Sequence, residues 1–302
     1  MRFFIIIIIL LLLIYAGITV YSFIEAHILK ISHAVLKRSA TKKNDTDEIN
    51  KLPGCLFDVD DPKKLKDIKN TKILFISDLH AEFCFIPAEN VIKVIREAEV
   101  DAVIFGGDIC NNAKRYMKGI SYLLKIKDAC DELKIPFIGT TGNHDIFLDN
   151  GQIKQAGFTD LREGQVIVRD VLISGVNDTG KKKRIWDDNP VTDTKGLTHL
   201  LVSHNPDWLL EAAKKSELDN VDHMLSGHIH GGQFRFPFRI EINVIRKDRL
   251  PRRKVIEGVF DGAGITFFIS RGIGCVLIPF RLGSYPEITV VEIEAKNEAL
   301  LY

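Results

Sequence analysis

The chain has 302 residues, a formal net charge of +1, 46% apolar residues and 27% charged residues. These are ordinary globular values, and the near-zero charge balance removes the usual reason to expect nucleic acid as a partner. Its five cysteines are odd in number and contain no C-x-x-C pair, which excludes a zinc ribbon and argues against a disulfide framework.

Residues Phe3 to Ile24 carry no charge. As a helix rising 1.5 Å per residue, this stretch reaches roughly 30 Å, enough to cross a bilayer. A cleaved secretory signal is the competing reading, but no A-x-A-like site follows the apolar run. Residues 1–30 are therefore expected to form a single-pass transmembrane anchor. Arg2 precedes it, whereas Lys30, Lys37, Arg38, Lys42 and Lys43 follow it. By the positive-inside rule the body of the protein then faces the cytoplasm. Residues 31–70 are largely polar, contain Pro53, Gly54 and Pro62, and read as a juxtamembrane linker. The body is expected over residues 71–302.

From Thr71 onward, short apolar runs alternate with helical patterns. "KILFIS", "DAVIFGG", "IPFIGTTG", "THLLVS" and "VDHMLSG" read as strands buried on both faces. "PAENVIKVIREAEV" and "YMKGISYLLKIKDACDELK" carry apolar residues at three-to-four spacing, and Pro206 opens a third helix in "PDWLLEAAKK". Such alternation predicts an α/β body. "VIEGVFDGAGITFFISRG" and "PEITVVEIEA" read as further strands that close a second sheet against the first.

Each predicted strand ends in polar residues: Asp78 and His80, then Asp108, then Asn143, His144 and Asp145, then His204, then His228 and His230. In open α/β sheets that edge is where ligands bind. Carboxylate, amide and imidazole donors in this mixture suit first-row divalent metals: manganese first, with iron or zinc as alternatives. Seven candidate ligands (Asp78, His80, Asp108, Asn143, His204, His228 and His230) are too many for one ion and enough for two, with Asp108 as the bridge. A pair of ions roughly 3.5–4 Å apart clamps a phosphoryl group and lowers the pKa of a shared water, which can attack in line. His144 is placed to protonate the leaving oxygen, and Asp145 to hold the other nitrogen of that ring. Gly106, Gly107 and Gly142 precede ligands at turns expected to need positive φ.

Taken in order, D-x-H at 78–80, G-D at 107–108, G-N-H-D at 142–145, His204 and G-H-x-H at 227–230 resemble the calcineurin-like metallophosphoesterases. The resemblance implies a four-layer αββα sandwich of two mixed sheets. It also implies that Asp78, His80, Asp108 and His230 hold one metal, that Asp108, Asn143, His204 and His228 hold the other, and that His144 is the catalytic histidine. "SHNPDW", "SGHIHGGQ" and "SRGIG…PFRLGSYPEITVVEI" are similar to the bacterial membrane-associated subgroup, some of whose members cleave UDP-2,3-diacylglucosamine in lipid A synthesis. Asn111 stands where relatives often carry an acidic residue. It is counted with Arg271, which clamps a phosphate or forms a structural ion pair, as a substrate-binding candidate. The stretch from Phe234 to Lys254 reads either as a basic, aromatic surface for acidic headgroups or a diphosphate, or as a solvated hairpin.

The expected function is a membrane-anchored dinuclear phosphoesterase acting on a phosphorylated, lipid-linked substrate. A broad phosphodiesterase for soluble substrates and a non-enzymatic scaffold are the alternatives. The sequence sets no oligomeric state.

Overall fold

A computed structural model describes residues 2–176, 196–242 and 246–294 of the chain. Its helices are α1 (Arg2–Glu25), α2 (Ala88–Ala98), α3 (Tyr116–Leu133), α4 (Asn150–Lys154), α5 (Trp208–Lys214) and α6 (Arg249–Arg252). Its strands are β1 (Lys30–Leu36), β2 (Ile49–Lys51), β3 (Leu56–Asp58), β4 (Thr71–Ile76), β5 (Ala102–Phe105), β6 (Phe137–Gly139), β7 (Thr159–Asp160), β8 (Val166–Val168), β9 (Val171–Val176), β10 (Thr198–Ser203), β11 (His223–Ser226), β12 (Gly258–Gly262), β13 (Ile265–Ile269) and β14 (Glu287–Ile293). One mixed sheet runs β3-β1-β14-β4-β5-β6-β7 and the other runs β2-β12-β13-β11-β10-β9-β8.

The two sheets pack face to face, and side-chain alternation explains how. On β4, Ile73 and Phe75 join a core shared with Leu200 and Val202 of β10 and Phe268 of β13. Leu74 and Ile76 point the other way, into a core with Val91, Val94 and Ile95 of α2 and Leu123 of α3. A strand with period 2 can do this only if both faces are apolar, hence the unbroken run "KILFI". Outside the second sheet, Leu201, Met224 and Phe267 meet Trp208, Leu209 and Ala212 of α5. The layer order is thus helix, sheet, sheet, helix. Between the sheets, Phe75 and Phe268 meet edge to face with ring centroids 6.4 Å apart, and both are fully buried. Phe268→Ala is expected to cost about 3–5 kcal/mol by leaving a cavity there, read as an earlier urea midpoint with an unchanged slope.

Two expectations need correction. Residues 31–70, read as a linker, supply three strands. β1 pairs in parallel with β14 from Lys30↔Glu287 to Leu36↔Ile293, β3 pairs with β1, and β2 pairs with β12 of the other sheet. Only residues 26–29 separate α1 from the first sheet. Backbone pairing with a distant strand outweighs the polar local composition, and β2 and β3 are too short to show a period. The last strand also differs from expectation. β14 lies inside the first sheet, between β1 and β4, rather than closing the second. Helix α1 was expected to be a membrane span, and its residues Phe3–Glu25 are long and apolar enough for one.

Candidate metal centre

Parallel strands β4, β5 and β6 of the first sheet and β10 and β11 of the second end at a common rim. The loops after these five strands carry Asp78 and His80, Asp108, Asn143 and His144, His204, and His228 and His230, respectively. Five of these residues hold a positive φ: Asp78 (55°), His80 (37°), Asp108 (63°), His228 (71°) and His230 (56°). A left-handed backbone is costly for residues with a Cβ, and such strain concentrates at functional sites.

Two glycines admit this crowding. A Cβ on Gly227 would lie 1.9 Å from Ser77 Oγ and 2.3 Å from Asp78 Oδ2. One on Gly142 would lie 2.2 Å from Asp108 Oδ1. Gly142 has φ −105°, so close approach to Asp108, rather than the expected positive φ, is what requires glycine there. Gly107 does hold a positive φ, 99°, whereas Gly106 does not; a Cβ there would lie 2.6 Å from the Phe75 ring.

The convergent atoms form two overlapping groups: Asp78, His80 and His230, and Asp78, Asp108 and His204, all buried. Asp108 Oδ2 lies 3.4 Å from His80 Nε2 and 3.2 Å from His204 Nε2. Asp78 Oδ1 lies 3.2 Å from His230 Nε2 and 4.0 Å from His204 Nε2. Asp108 thus lies between His80 and His204, while Asp78 is the residue common to both groups. Asp78 is the more heavily held: its oxygens accept the His228 N–H at 3.0 and 3.1 Å and the Ser77 hydroxyl at 2.6 Å.

Tautomers decide whether these groups suit a metal. His204 Nδ1 sits 2.8 Å from the Gly106 carbonyl, which can only accept, so Nδ1 carries the proton. In the neutral ring, Nε2 then presents a lone pair to Asp108 Oδ2. Two acceptors facing each other are repulsive unless a cation lies between them. His228 Nε2 lies 3.3 Å from Asp248 Oδ1, so a proton on Nε2 leaves Nδ1 as a donor for a metal. Burial first, then the neighbouring His80, holds His230 well below its ordinary pKa, in the neutral form that a ligand requires. Burial opposes ionisation of Asp108, but protonated His204 and His80 rings, the alternative source of positive charge here, outweigh it and hold its carboxyl well below the usual range. These donors fit a centre of two divalent ions.

Three further candidates stand as follows. Asn143 is exposed, at the start of a single 3-10 turn that runs to Phe147. The half-buried His144 ring lies edge-on to His80, with centroids 5.0 Å apart, and burial lowers its pKa. Its backbone N–H binds Asp108 Oδ1 at 2.8 Å. Asp145 does not hold the His144 ring in the way expected. Its oxygens accept the N–H groups of Asp108, Ile109 and Gly142, each at 2.8 Å, because the tight turn points it back beneath the loops. Burial, then the Asp108 charge, pushes its pKa up to about 6. Asp145 is a positioning residue that ties the Asp108 loop to the Asn143 loop.

The two substrate-binding candidates are engaged elsewhere. Arg271 Nη2 pairs with Glu287 Oε1 at 2.8 Å, and its backbone N–H binds Glu287 Oε2, so it is the structural ion pair of the two readings. Asn111 donates to the Cys275 carbonyl at 3.3 Å and accepts the Leu277 N–H at 3.1 Å. It also lines a cavity of about 720 Å³ with Glu82, Phe83, Arg115 and Phe147. Among its described residues the basic stretch forms a 3-10 turn at Pro237–Arg239 and α6, with no hairpin. Arg235, Arg239, Arg246 and Arg249 pair with Glu257, Glu241, Asp248 and Glu211, respectively, which leaves their charges satisfied within the protein.

The geometry also adds residues that the motifs did not signal. Asp248 orients His228, and Arg246 joins both by pairing with Asp248 at 3.2 Å and approaching the His228 carbonyl at 3.4 Å. Arg281 is fully buried behind His230, with Nη2 3.4 Å from His230 Nδ1 and bonded to the Arg271 and Gly272 carbonyls at 2.9 and 3.0 Å. Losing a carboxylate that orients a metal-ligating histidine typically costs 10–100-fold in metal affinity or activity. Asp248→Asn is expected to weaken metal binding by ~10–100-fold, measured by titrating activity against added Mn²⁺; an unchanged titration would remove Asp248 from the centre.

Comparison with known proteins gives the family. Residues 71–232, more than half of the chain, match the family described as calcineurin-like phosphoesterase. The chain belongs to that family. It is a hydrolase with a phosphorylated substrate. This phosphoesterase is 26% identical over 247 residues to the metallophosphoesterase YkoQ of Bacillus subtilis (strain 168), covering 78% of this chain and 88% of the relative. It is 28% identical over 239 residues to the phosphodiesterase YaeI of Escherichia coli (strain K12), covering 74% and 82%. Among solved structures, a dimetal phosphatase from Danio rerio aligns with a TM-score of 0.42 and 13% identity, covering 67% of this chain and 88% of that one.

Proposed function

We propose that this phosphoesterase is a membrane-anchored two-metal hydrolase that cleaves a phosphodiester or pyrophosphate bond in a lipid-linked substrate. The observation that carries the reading is the buried His204 imidazole, whose proton is fixed on the Gly106 side while its other nitrogen faces the Asp108 carboxylate at 3.2 Å. Asp78, His80, Asp108 and His230 would hold one ion and Asp108, Asn143, His204 and His228 the other, with Asp108 common to both sets. Bound divalent ions supply neutralisation of phosphoryl charge and a water acidified to near-neutral pKa. Asp145 fixes the separation of the two loops. His144, at the mouth of the site, protonates the departing oxygen. Helix α1 supports anchoring by its length and composition, and a bilayer anchor confines enzyme and substrate to one surface. Manganese is the expected metal, and the body faces the cytoplasm.

UDP-2,3-diacylglucosamine is the most concrete substrate of this class. The detergent-solubilised protein, loaded with Mn²⁺, is expected to release UMP from it and to lose activity on treatment with EDTA. Turnover of bis-p-nitrophenyl phosphate without release of UMP would replace this substrate with the broader phosphodiesterase reading, which the name of the Escherichia coli relative favours.

A further inference from the structure

The end of α1 does not project freely from the catalytic body. The segment from Phe280 to Tyr285 runs along the last turn of the helix. Phe280 meets Phe23 with centroids 6.0 Å apart, the Arg281 N–H binds the Ser22 carbonyl at 3.0 Å, and the Tyr285 hydroxyl lies 3.5 Å from that of Tyr21. Glu25 accepts the Gly283 N–H at 3.0 Å, and Ser22 and Glu25 are buried by this packing. Residues 21–23 belong to the uncharged stretch itself. If α1 spans a bilayer, the body therefore reaches up to the level of the span's last turn. Lys30, with its ammonium 5.5 Å from the Tyr285 ring, and the Tyr21–Tyr285 pair form the aromatic and basic collar expected at headgroup depth.

Just before this segment stands a loop tip that water does not explain. Leu277 is 74% exposed and Ile278 is 46% exposed. Leu277 also has φ 63°, a conformation that a leucine adopts at a cost. The tip is held open from both sides. Gln233 Nε2 donates to the Val276 and Ile278 carbonyls at 3.0 and 3.3 Å, Gln233 Oε1 accepts the Val276 N–H at 2.9 Å, and Asn111 Oδ1 accepts the Leu277 N–H at 3.1 Å. Gln233 follows His230 by three residues, and Asn111 follows Asp108 by three. The clasp that presents two aliphatic side chains outward is thus built on the metal-site loops.

We propose that Leu277 and Ile278 are a second membrane contact, seated in the lipid surface beside α1, which fixes the catalytic cleft against the bilayer. The inference rests on the anchor reading of α1 and commits to lipid as the occupant because Phe280, two residues past Ile278, packs against Phe23 on the exposed apolar surface of that helix. A single span does not by itself fix tilt or rotation in the bilayer, and the body packed on its end turns with it. Two contacts define an orientation, and because the clasp joins the tip to the loops of Asp108 and His230, the site is brought to the headgroup layer where a lipid-borne phosphate lies. On this account Asn111 acts through the loop it holds rather than through substrate.

The test places an environment-sensitive fluorophore at single cysteines in the full chain, reconstituted in phosphatidylcholine vesicles with or without doxyl-labelled lipid. Cys84→Ser supplies the background, since the other four cysteines are buried. Labels go on Leu277→Cys, Ile278→Cys, Leu12→Cys within α1 and Ile167→Cys on β8, at the far edge of the second sheet. The expected result is several-fold stronger doxyl quenching at 277, 278 and 12 than at 167. Quenching at 12 with none at 277 and 278 overturns the second contact while leaving the anchor in place. Absence of quenching at 12 overturns the anchor and the inference together. Labels at 277 and 278 that are shielded from aqueous iodide but untouched by doxyl lipid mean that protein, not lipid, covers the tip, which also overturns it.

Discussion

Asp108→Ala is expected to abolish turnover and to empty at least one of the two metal positions. Asp108 Oδ2 stands between His80 Nε2 at 3.4 Å and His204 Nε2 at 3.2 Å, so the substitution removes the anion that both groups of donors face. Without it, the His80 and His204 imidazoles retain donors but lose the shared charge that would hold two cations close together. Two-metal stabilisation of a phosphoryl transition state contributes several kcal/mol, and each 1.36 kcal/mol is tenfold, so kcat should fall by at least ~10³. The other oxygen, Oδ1, holds the His144 backbone N–H at 2.8 Å. Asp108→Asn preserves that acceptor while removing the charge. It should lose metal and turnover nearly as fully, which attributes the loss to charge rather than to a displaced loop. Normal metal content and activity in either variant would mean that Asp108 is not the bridge.

The second large effect is expected at His144. His144→Gln removes the ring but leaves its backbone bond to Asp108, so both ions should remain bound. General acid catalysis is typically worth about 10²–10⁴-fold. The loss should reach that range on an alkyl phosphodiester, whose leaving oxygen needs a proton, and should shrink on bis-p-nitrophenyl phosphate, whose leaving group departs well as an anion. Burial favours the neutral ring in the free enzyme, and the negative charge of a bound phosphoryl group acts in the opposite direction. Equal losses on both substrates would assign His144 to positioning rather than to proton transfer.

Much of the site was legible because the strands of this fold are buried on both faces. Such strands read as unbroken apolar runs, so the polar residues after them stand out and share one edge. Asp78, His80, Asp108, His204 and His230 were found in this way, and all five contribute to the convergent groups. Direction within a turn was not legible. Asp145 is adjacent to His144 in sequence, yet the turn sends its carboxylate to three backbone amides. Partners distant in sequence were also hidden. Arg271 follows a strand just as the ligands do, but Glu287, sixteen residues on, captures it. Asp248 carries no motif and lies among arginines, and only the fold brings it to His228. The strands before residue 71 failed to register for a related reason. "KISHAVL" follows the apolar helix at once and mixes polar with apolar residues, and its partner β14 lies more than 250 positions away. β2 and β3 have three residues each, too few for a period of two to show.

Anomalous diffraction at the manganese edge from crystals of the Mn²⁺-loaded chain tests the central claim most directly. The account predicts two peaks roughly 3.5–4 Å apart, with Asp108 between them, His80 and His230 on one, and His204 and His228 on the other. A single peak, or two peaks that share no carboxylate, in an enzyme that still hydrolyses its phosphoester would contradict it.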